Sequence, residues 1–192
     1  MRAKLLVLPL ALLLAAVLFA PVAQAALPTR TLEGFCGAPW GASQAATKEA
    51  LAQGPFKAVL EGEDNDILVY RGEFGGYPAD FSFIFAAGKL AGGVILIPDP
   101  DGAVFKDLNK IHAAKFGPPD LTRQNPDGPI TYWLFLSPYK PPPDFAYITT
   151  MRTKGAFVEN HKHKDRPAVA ISCFDDELER QYRQARAAAK NK

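Results

Sequence analysis

The chain has 192 residues, with 22 Lys and Arg against 20 Asp and Glu, and two cysteines. Arg2 and Lys4 lie in the first residues, so beyond residue 25 the remaining bases and acids balance at 20 each. A neutral body excludes the general electrostatic attraction that nucleic acid or an anionic membrane demands. The lack of a C-x-x-C spacing leaves thioredoxin-like chemistry without its motif.

The leader comes first in the chain. Arg2 and Lys4 precede the apolar run Leu5 to Ala20, and Pro21 and Ala23-Gln24-Ala25 follow. A positive start, an apolar middle and a small-x-small site predict a secretory signal peptide cleaved after Ala25. The run is 16 residues long and holds Pro9. A spanning helix wants roughly 20 residues, so a membrane anchor, and with it stable membrane insertion after cleavage, is not expected. Cys36 stands in LEGFC, well past the apolar run and outside any small-residue box, which argues against a lipid anchor. Residues 26–192 are then 167 residues, the size of one exported domain with a core of its own, periplasmic or secreted.

Cys36 and Cys173 stand near the two ends of that domain. In an oxidising compartment such a pair predicts a disulfide, and closing so long a loop adds roughly 4–5 kcal/mol by loop-closure entropy. Two separate buried thiols are the alternative.

Thr31 to Cys36 has strand character, and Gly37 to Gly41 is a turn carrying Trp40, which suits a plug at one end of the core. Ser43 is a good N-cap for a helix over 44–53, and Gly54 stops it. A short strand is expected over 56–60, then an acidic loop, Glu61 to Asp66. That loop lacks the ligand spacing of a calcium loop and has no closing bidentate Glu, so a solvated turn fits it better than a cation site.

Ile67 to Phe74 is a strand, and Gly75-Gly76 is a two-residue hairpin turn. The next stretch, Tyr77 to Pro98, is the most legible in the chain. Phe81, Phe83 and Phe85 alternate with Asp80, Ser82 and Ile84, Ala87-Gly88-Lys89 breaks the run, and Leu90 to Ile97 resumes it. This predicts a hairpin with an aromatic face turned inward and a mixed face turned away. Asp99 and Asp101, among prolines, mark a turn and a helix start rather than a metal loop.

A helix over 103–116 carries Val104, Phe105, Leu108, Ile111 and Phe116 at helical spacing and is the expected cover of the aromatic face. His112 sits one place off that stripe and is expected at its boundary. Gly117-Pro118-Pro119 ends the helix, and 120–129 is expected as a polar loop. Ile130 to Leu136 is apolar on both sides and predicts a central strand. The prolines of 137–144 cannot pair in a sheet and suit a stiff connection.

After a strand over 145–151 comes the polar segment 154–166. There His161 and His163, two apart, would share one side of a strand and make a candidate metal pair, with a solvated loop as the alternative for want of a third ligand. Ala168 to Phe174 is the last strand, and a helix opens at Asp175-Asp176-Glu177 with Arg180, Arg183, Arg186 and Lys190 later, as the helix dipole favours.

The fold class is therefore α+β: an antiparallel sheet of two meanders of about three strands each, covered by helices on one face, plus a C-terminal helix. APWGASQAATKEAL before a meander, FAAGKLAGG at its turn, and a helix closing in FGPP before a Trp-bearing strand are the features that carry a likeness. From Phe35 to Phe174 the chain resembles small exported α+β domains similar to the β-lactamase-inhibitor-protein and outer-membrane-assembly accessory (SmpA-like) type. The resemblance implies binding of other proteins and transfers no active-site residue; the 154–166 segment and the terminal helix have no counterpart in it. No Gly-x-Ser-x-Gly elbow is present. The expectation is thus a non-enzymatic exported binding or envelope accessory module without a cofactor, whose partner is a protein or a small ligand. The alternative is a small-ligand or metal-binding periplasmic protein, with His112, His161 and His163 as the residues to watch and an enzyme less favoured.

Overall fold

The computed structural model describes residues 30–137, 145–153 and 167–190. The predicted leader, the proline-rich connection and the segment bearing His161 and His163 lie outside these residues.

Two short strands, β1 (Gly34–Phe35) and β2 (Ala38–Pro39), form a small hairpin of their own. Helix α1 (Gln44–Gln53) follows, its Ser43 cap accepting from the Ala46 N–H at 3.2 Å as the sequence predicts. Then come β3 (Ala58–Glu63), β4 (Ile67–Phe74), β5 (Tyr77–Ala86) and β6 (Lys89–Pro98). Helix α2 (Ala103–Phe116) leads into β7 (Leu121–Asn125), β8 (Gly128–Leu136), β9 (Phe145–Thr153) and β10 (Ala168–Asp175), and α3 (Asp176–Lys190) ends the described chain.

A helix followed by a four-strand meander therefore occurs twice. The last strands of the two halves, β6 and β10, pair antiparallel in the middle, with Ile95 opposite Ile171 and Gly93 opposite Cys173. The result is one eight-stranded antiparallel sheet in the order β3-β4-β5-β6-β10-β9-β8-β7.

The α+β class and the C-terminal helix agree with expectation, but the two three-strand meanders do not: each has four strands. The expected 120–129 loop holds β7, and Glu61 to Glu63 of the expected acidic loop belong to β3. Ile130 to Leu136 lies one strand in from the edge rather than at the centre, because β7 pairs only with β8.

Alternation decides the two faces. Phe81 and Phe83 point to the first face with Leu68, Ile95, Ile171 and Trp133, where Leu51 of α1 and Val104 and Leu108 of α2 close over them. Asp80, Ser82 and Ile84 point to the other, with Val94, Leu96, Ala170 and Phe174. The consecutive glycines at the centre serve both. A Cβ on Gly93 would lie 2.0 Å from the Phe35 ring, and one on Gly92 2.0 Å from the Phe174 ring. Each ring sits against bare backbone, on opposite sides of β6. At the β5–β6 turn, Ala87 (φ 47°) and Gly88 (φ 75°) take the left-handed geometry that matches strand twist.

Helix α2 is aimed by Asp99, which is fully buried and accepts from the Val104 N–H at 3.1 Å and the Phe105 N–H at 3.3 Å. Asp101 accepts from the Ala103 N–H at 3.0 Å. Both aspartates are the helix start that the sequence indicates. The stripe itself is rotated: Val104, Leu108 and His112 are buried, whereas Ile111 is 48% exposed. His112 is thus a core residue, not a boundary one, because positions 104, 108 and 112 repeat at four and fall on one side of the helix. Its Nδ1 lies 3.0 Å from the Thr150 hydroxyl and its ring stands edge-on to Trp133 at 5.2 Å.

Candidate functional site

Among the described residues, the second face of the sheet is the one left open. Its floor comes from alternate residues of the central strands: Val69 on β4, Asp80 and Ile84 on β5, Val94 on β6, Ser172 on β10 and Thr149 on β9. Over one part of it lies α3, which contacts β5, β6, β9 and β10 and so runs across the strands.

The helix starts directly where β10 stops. Asp175 accepts from the Leu178 N–H at 3.2 Å through Oδ1, while its other oxygen accepts a hydrogen bond from the Ser137 hydroxyl. Asp176, Glu177 and Glu179 in the first turn meet the positive end of the helix dipole. Leu178 is fully buried, and Tyr182 packs against the clusters of both faces.

One polar tie fixes the helix to the sheet. The Tyr147 hydroxyl on β9 donates to Glu179 Oε2 at 2.5 Å, and Arg183 Nε donates to Glu179 Oε1 at 2.8 Å. Burial, then the hydrogen bond to Glu179 and its charge, push the Tyr147 phenol far above its usual range. A neutral phenol that donates to a carboxylate backed by a guanidinium is a positioning arrangement.

Between α3 and the exposed part of the sheet runs a groove of about 1700 Å³, open to solvent. At one end stands the β3–β4 turn, with Glu61, Glu63, Asp64 and Asp66. At the other stand Ile130 and Tyr132 of β8 with Tyr147 and Met151 of β9, all half-buried. On the floor Arg71 is held between Glu61 Oε1 at 2.8 Å and Asp80 Oδ1 at 3.0 Å. A second, smaller pocket of about 560 Å³ opens at the opposite side of β4, walled by Phe56, Phe74, Phe81 and Cys36 with Lys57 at its mouth.

Of the three histidines singled out from the sequence, the described residues include His112. His112 is locked in the first-face core, where burial and then the Lys115 charge lower its pKa to about 4. His161 and His163 lie outside the described residues. Among the described residues no group of three His, Cys, Asp or Glu is placed to hold a metal ion. No helix of the described residues is long and apolar enough to cross a membrane.

Cys36 and Cys173 are free thiols in this structure, which corrects the predicted disulfide. Cys36 occupies the left-handed turn position between β1 and β2 (φ 51°), and Cys173 sits on β10; both pack in the first-face core. They serve there as small apolar side chains, which is how buried cysteine commonly behaves. Burial pushes the Cys36 thiol up to about 12 and Cys173 still higher, so neither is a nucleophile near neutral pH.

The groove was half legible in advance. The mixed face of Asp80, Ser82 and Ile84 marked it as the side without an aromatic core. The lie of α3 across that face left only a faint mark in the sequence. A hint was present in Tyr147 and Tyr182, aromatic residues on a strand face and a helix that the alternation had not assigned to the core. Comparison with known protein families, curated proteins and solved structures finds no match to this chain.

Proposed function

We propose that this chain is an exported, non-enzymatic binding module that holds a protein partner in the groove between α3 and the second face of its sheet. The observation that carries the proposal is the size and place of that groove. Small-molecule sites are commonly about 300–1,000 Å³, and this one is about 1700 Å³ on the face that α1 and α2 leave open. Its lining mixes apolar floor, tyrosines and charge, as interfaces between separately folded proteins do. The likeness to inhibitor-protein and assembly-accessory domains points the same way, and the leader puts the module outside the cytoplasm.

The test is capture from an envelope extract on immobilised protein, with two variants as controls. Val69→Glu with Met151→Glu spoils the groove floor, and Ile111→Glu alters the outer side of α2 over the first face, where Ile111 is 48% exposed. A partner retained by the wild type and the α2 variant but lost by the groove variant supports the proposal. A partner that survives the groove variant, or repeated absence of any, defeats it. Amino-terminal sequencing of the exported protein tests the leader; a terminus other than Ala26 defeats the predicted cleavage site.

One observation favours a second reading, a carrier of a small apolar ligand. The pocket beside Cys36 is about 560 Å³, within the small-molecule range, and three phenylalanine rings wall it. Quenching of a bound environment-sensitive dye by Phe74→Trp, against no dye uptake at all, separates the outcomes. Zinc and copper titration of the purified protein, with His161→Ala and His163→Ala as controls, tests the metal alternative.

A further inference from the structure

The charges and apolar groups of the groove are not scattered along it. Lining it among the described residues are six carboxylates and three guanidinium groups. Two of the three guanidinium groups are paired with carboxylates, and the third lies on a tyrosine. Arg71 lies between Glu61 and Asp80, Arg183 is on Glu179, and Arg186 donates to the Tyr182 hydroxyl at 3.2 Å and stacks over its ring. Beside the groove, Lys48 is paired with Glu63 at 2.5 Å.

The negative surplus therefore collects on the β3–β4 turn. Asp64 and Asp66 are both exposed there, and no lysine or arginine of the described residues pairs with either. Asp64 accepts from the N–H groups of Asp66 and Ile67 at 2.8 and 2.9 Å, which fixes the turn. The far end is the reverse. Its half-buried Ile130, Tyr132, Tyr147 and Met151 are uncharged, and Arg123 of β7 stacks over the outer side of Tyr132 at 5.7 Å. A cation arriving at that end meets Arg123, and one arriving at the turn meets two carboxylates.

The length is set by the sheet. From β3 to β8 there are six strand intervals; at about 4.8 Å each the groove spans roughly 29 Å. An extended chain of about nine residues covers that distance.

We propose that the groove takes an extended segment of a partner protein in one direction, its basic side chains over Asp64 and Asp66 and its apolar side chains over Tyr132 and Met151. The proposal rests on the binding-module reading and adds the chemistry of the partner. Charge at the turn steers and orients, while the aromatic end supplies the desolvated contacts that carry most of the affinity at such surfaces.

Two fluorescent peptides of about nine residues test it on the purified protein by anisotropy. One carries three arginines at one end and three leucines at the other; the second has glutamates in place of the arginines. Each is made in both chain directions. The arginine peptide is expected to bind about tenfold tighter than its glutamate counterpart in low salt, the margin that two exposed charge pairs supply, and the gap is expected to close in molar salt. Asp64→Asn with Asp66→Asn keeps the turn's acceptors and should erase the preference without weakening the glutamate peptide. Tyr132→Ala should weaken both peptides. Equal binding of the two, a preference for glutamate, a preference that survives the double asparagine variant, or no binding by either peptide overturns the proposal. Groove-dependent capture from the extract is decided separately and can stand when the peptides fail.

Discussion

His112 gives the sharpest test of how the first face is packed. A buried imidazole next to Trp133 and the Thr150 hydroxyl cannot easily accept a proton, and its pKa falls from 6.5 to about 4. Desolvation is the main cause, with the Lys115 charge second. Unfolding returns the ring to water and to its ordinary value. Between those two pKa values the unfolded chain binds a proton that the folded chain refuses, so stability falls as pH falls. The contribution is fully present above pH 6.5 and exhausted below about pH 4. A shift of that size corresponds to about 3 kcal/mol, a large share of the 5–15 kcal/mol that holds a domain together.

Urea unfolding across that pH range, on the wild type and on His112→Leu, measures it. At neutral pH the variant should be weaker by about 1 kcal/mol for the lost hydrogen bond to Thr150. On acidification the wild type should lose about 3 kcal/mol more than the variant, and the two curves should cross. Acid effects from the carboxylates cancel in the difference. Parallel curves would falsify the buried, neutral histidine, and with it the rotation of α2 that puts His112 rather than Ile111 against the sheet.

The remaining expectations concern the glycine seam, the helix tie and the thiols. Gly93→Ala drives a methyl into the Phe35 ring and should cost about 1–3 kcal/mol in thermal or urea unfolding; much of that loss should be recovered when Phe35→Leu is added, and simple additivity of the two losses would contradict the contact. Tyr147→Phe removes the donor to Glu179 and should cost about 1–2 kcal/mol while speeding proteolysis within α3; unchanged cleavage would mean that the tie does not hold the helix. Cys36 and Cys173 should resist alkylation in the folded protein and yield two reactive thiols on unfolding without reductant. If unfolding releases none, the two are joined in the isolated protein.

Where the sequence was legible, one physical signal dominated. Phe81, Phe83 and Phe85 alternate over a long run, and only one pleated arrangement buries all three rings, so β5, β6 and the intervening turn followed directly. Ser43 and Gly54 bound α1 through local hydrogen bonds that need no tertiary partner. Leu121 to Asn125 gave no such signal. LTRQN is exposed along most of its length and stays in the sheet through backbone bonds to β8, which leave no imprint on side-chain pattern. His112 was misplaced because a polar residue was discounted from a stripe in which the hydroxyl of Thr150, 38 positions away, makes it acceptable. The extent of the groove was out of reach for the same reason: it depends on which strands β10 enters between, a long-range pairing that no local window contains.

That pairing also explains why a groove exists at all. Each half begins with a helix and then lays down four strands, and both helices close on the first face. Among the described residues the second face is left to α3. A helix of 15 residues is about 22 Å long at 1.5 Å per residue. The eight strands have seven intervals, so the sheet is about 34 Å wide at 4.8 Å per interval. The helix is too short to cover it, and only its first turns are buried. Beyond Tyr182 its Arg183, Arg186 and Ala187 line the groove. On that face Ile130, Tyr132 and Met151 stand half-buried beside a helix held by the part-buried bond from the Tyr147 hydroxyl to Glu179. Those residues are spared from the core by position and kept apolar all the same, and that combination is what a bound polypeptide would use.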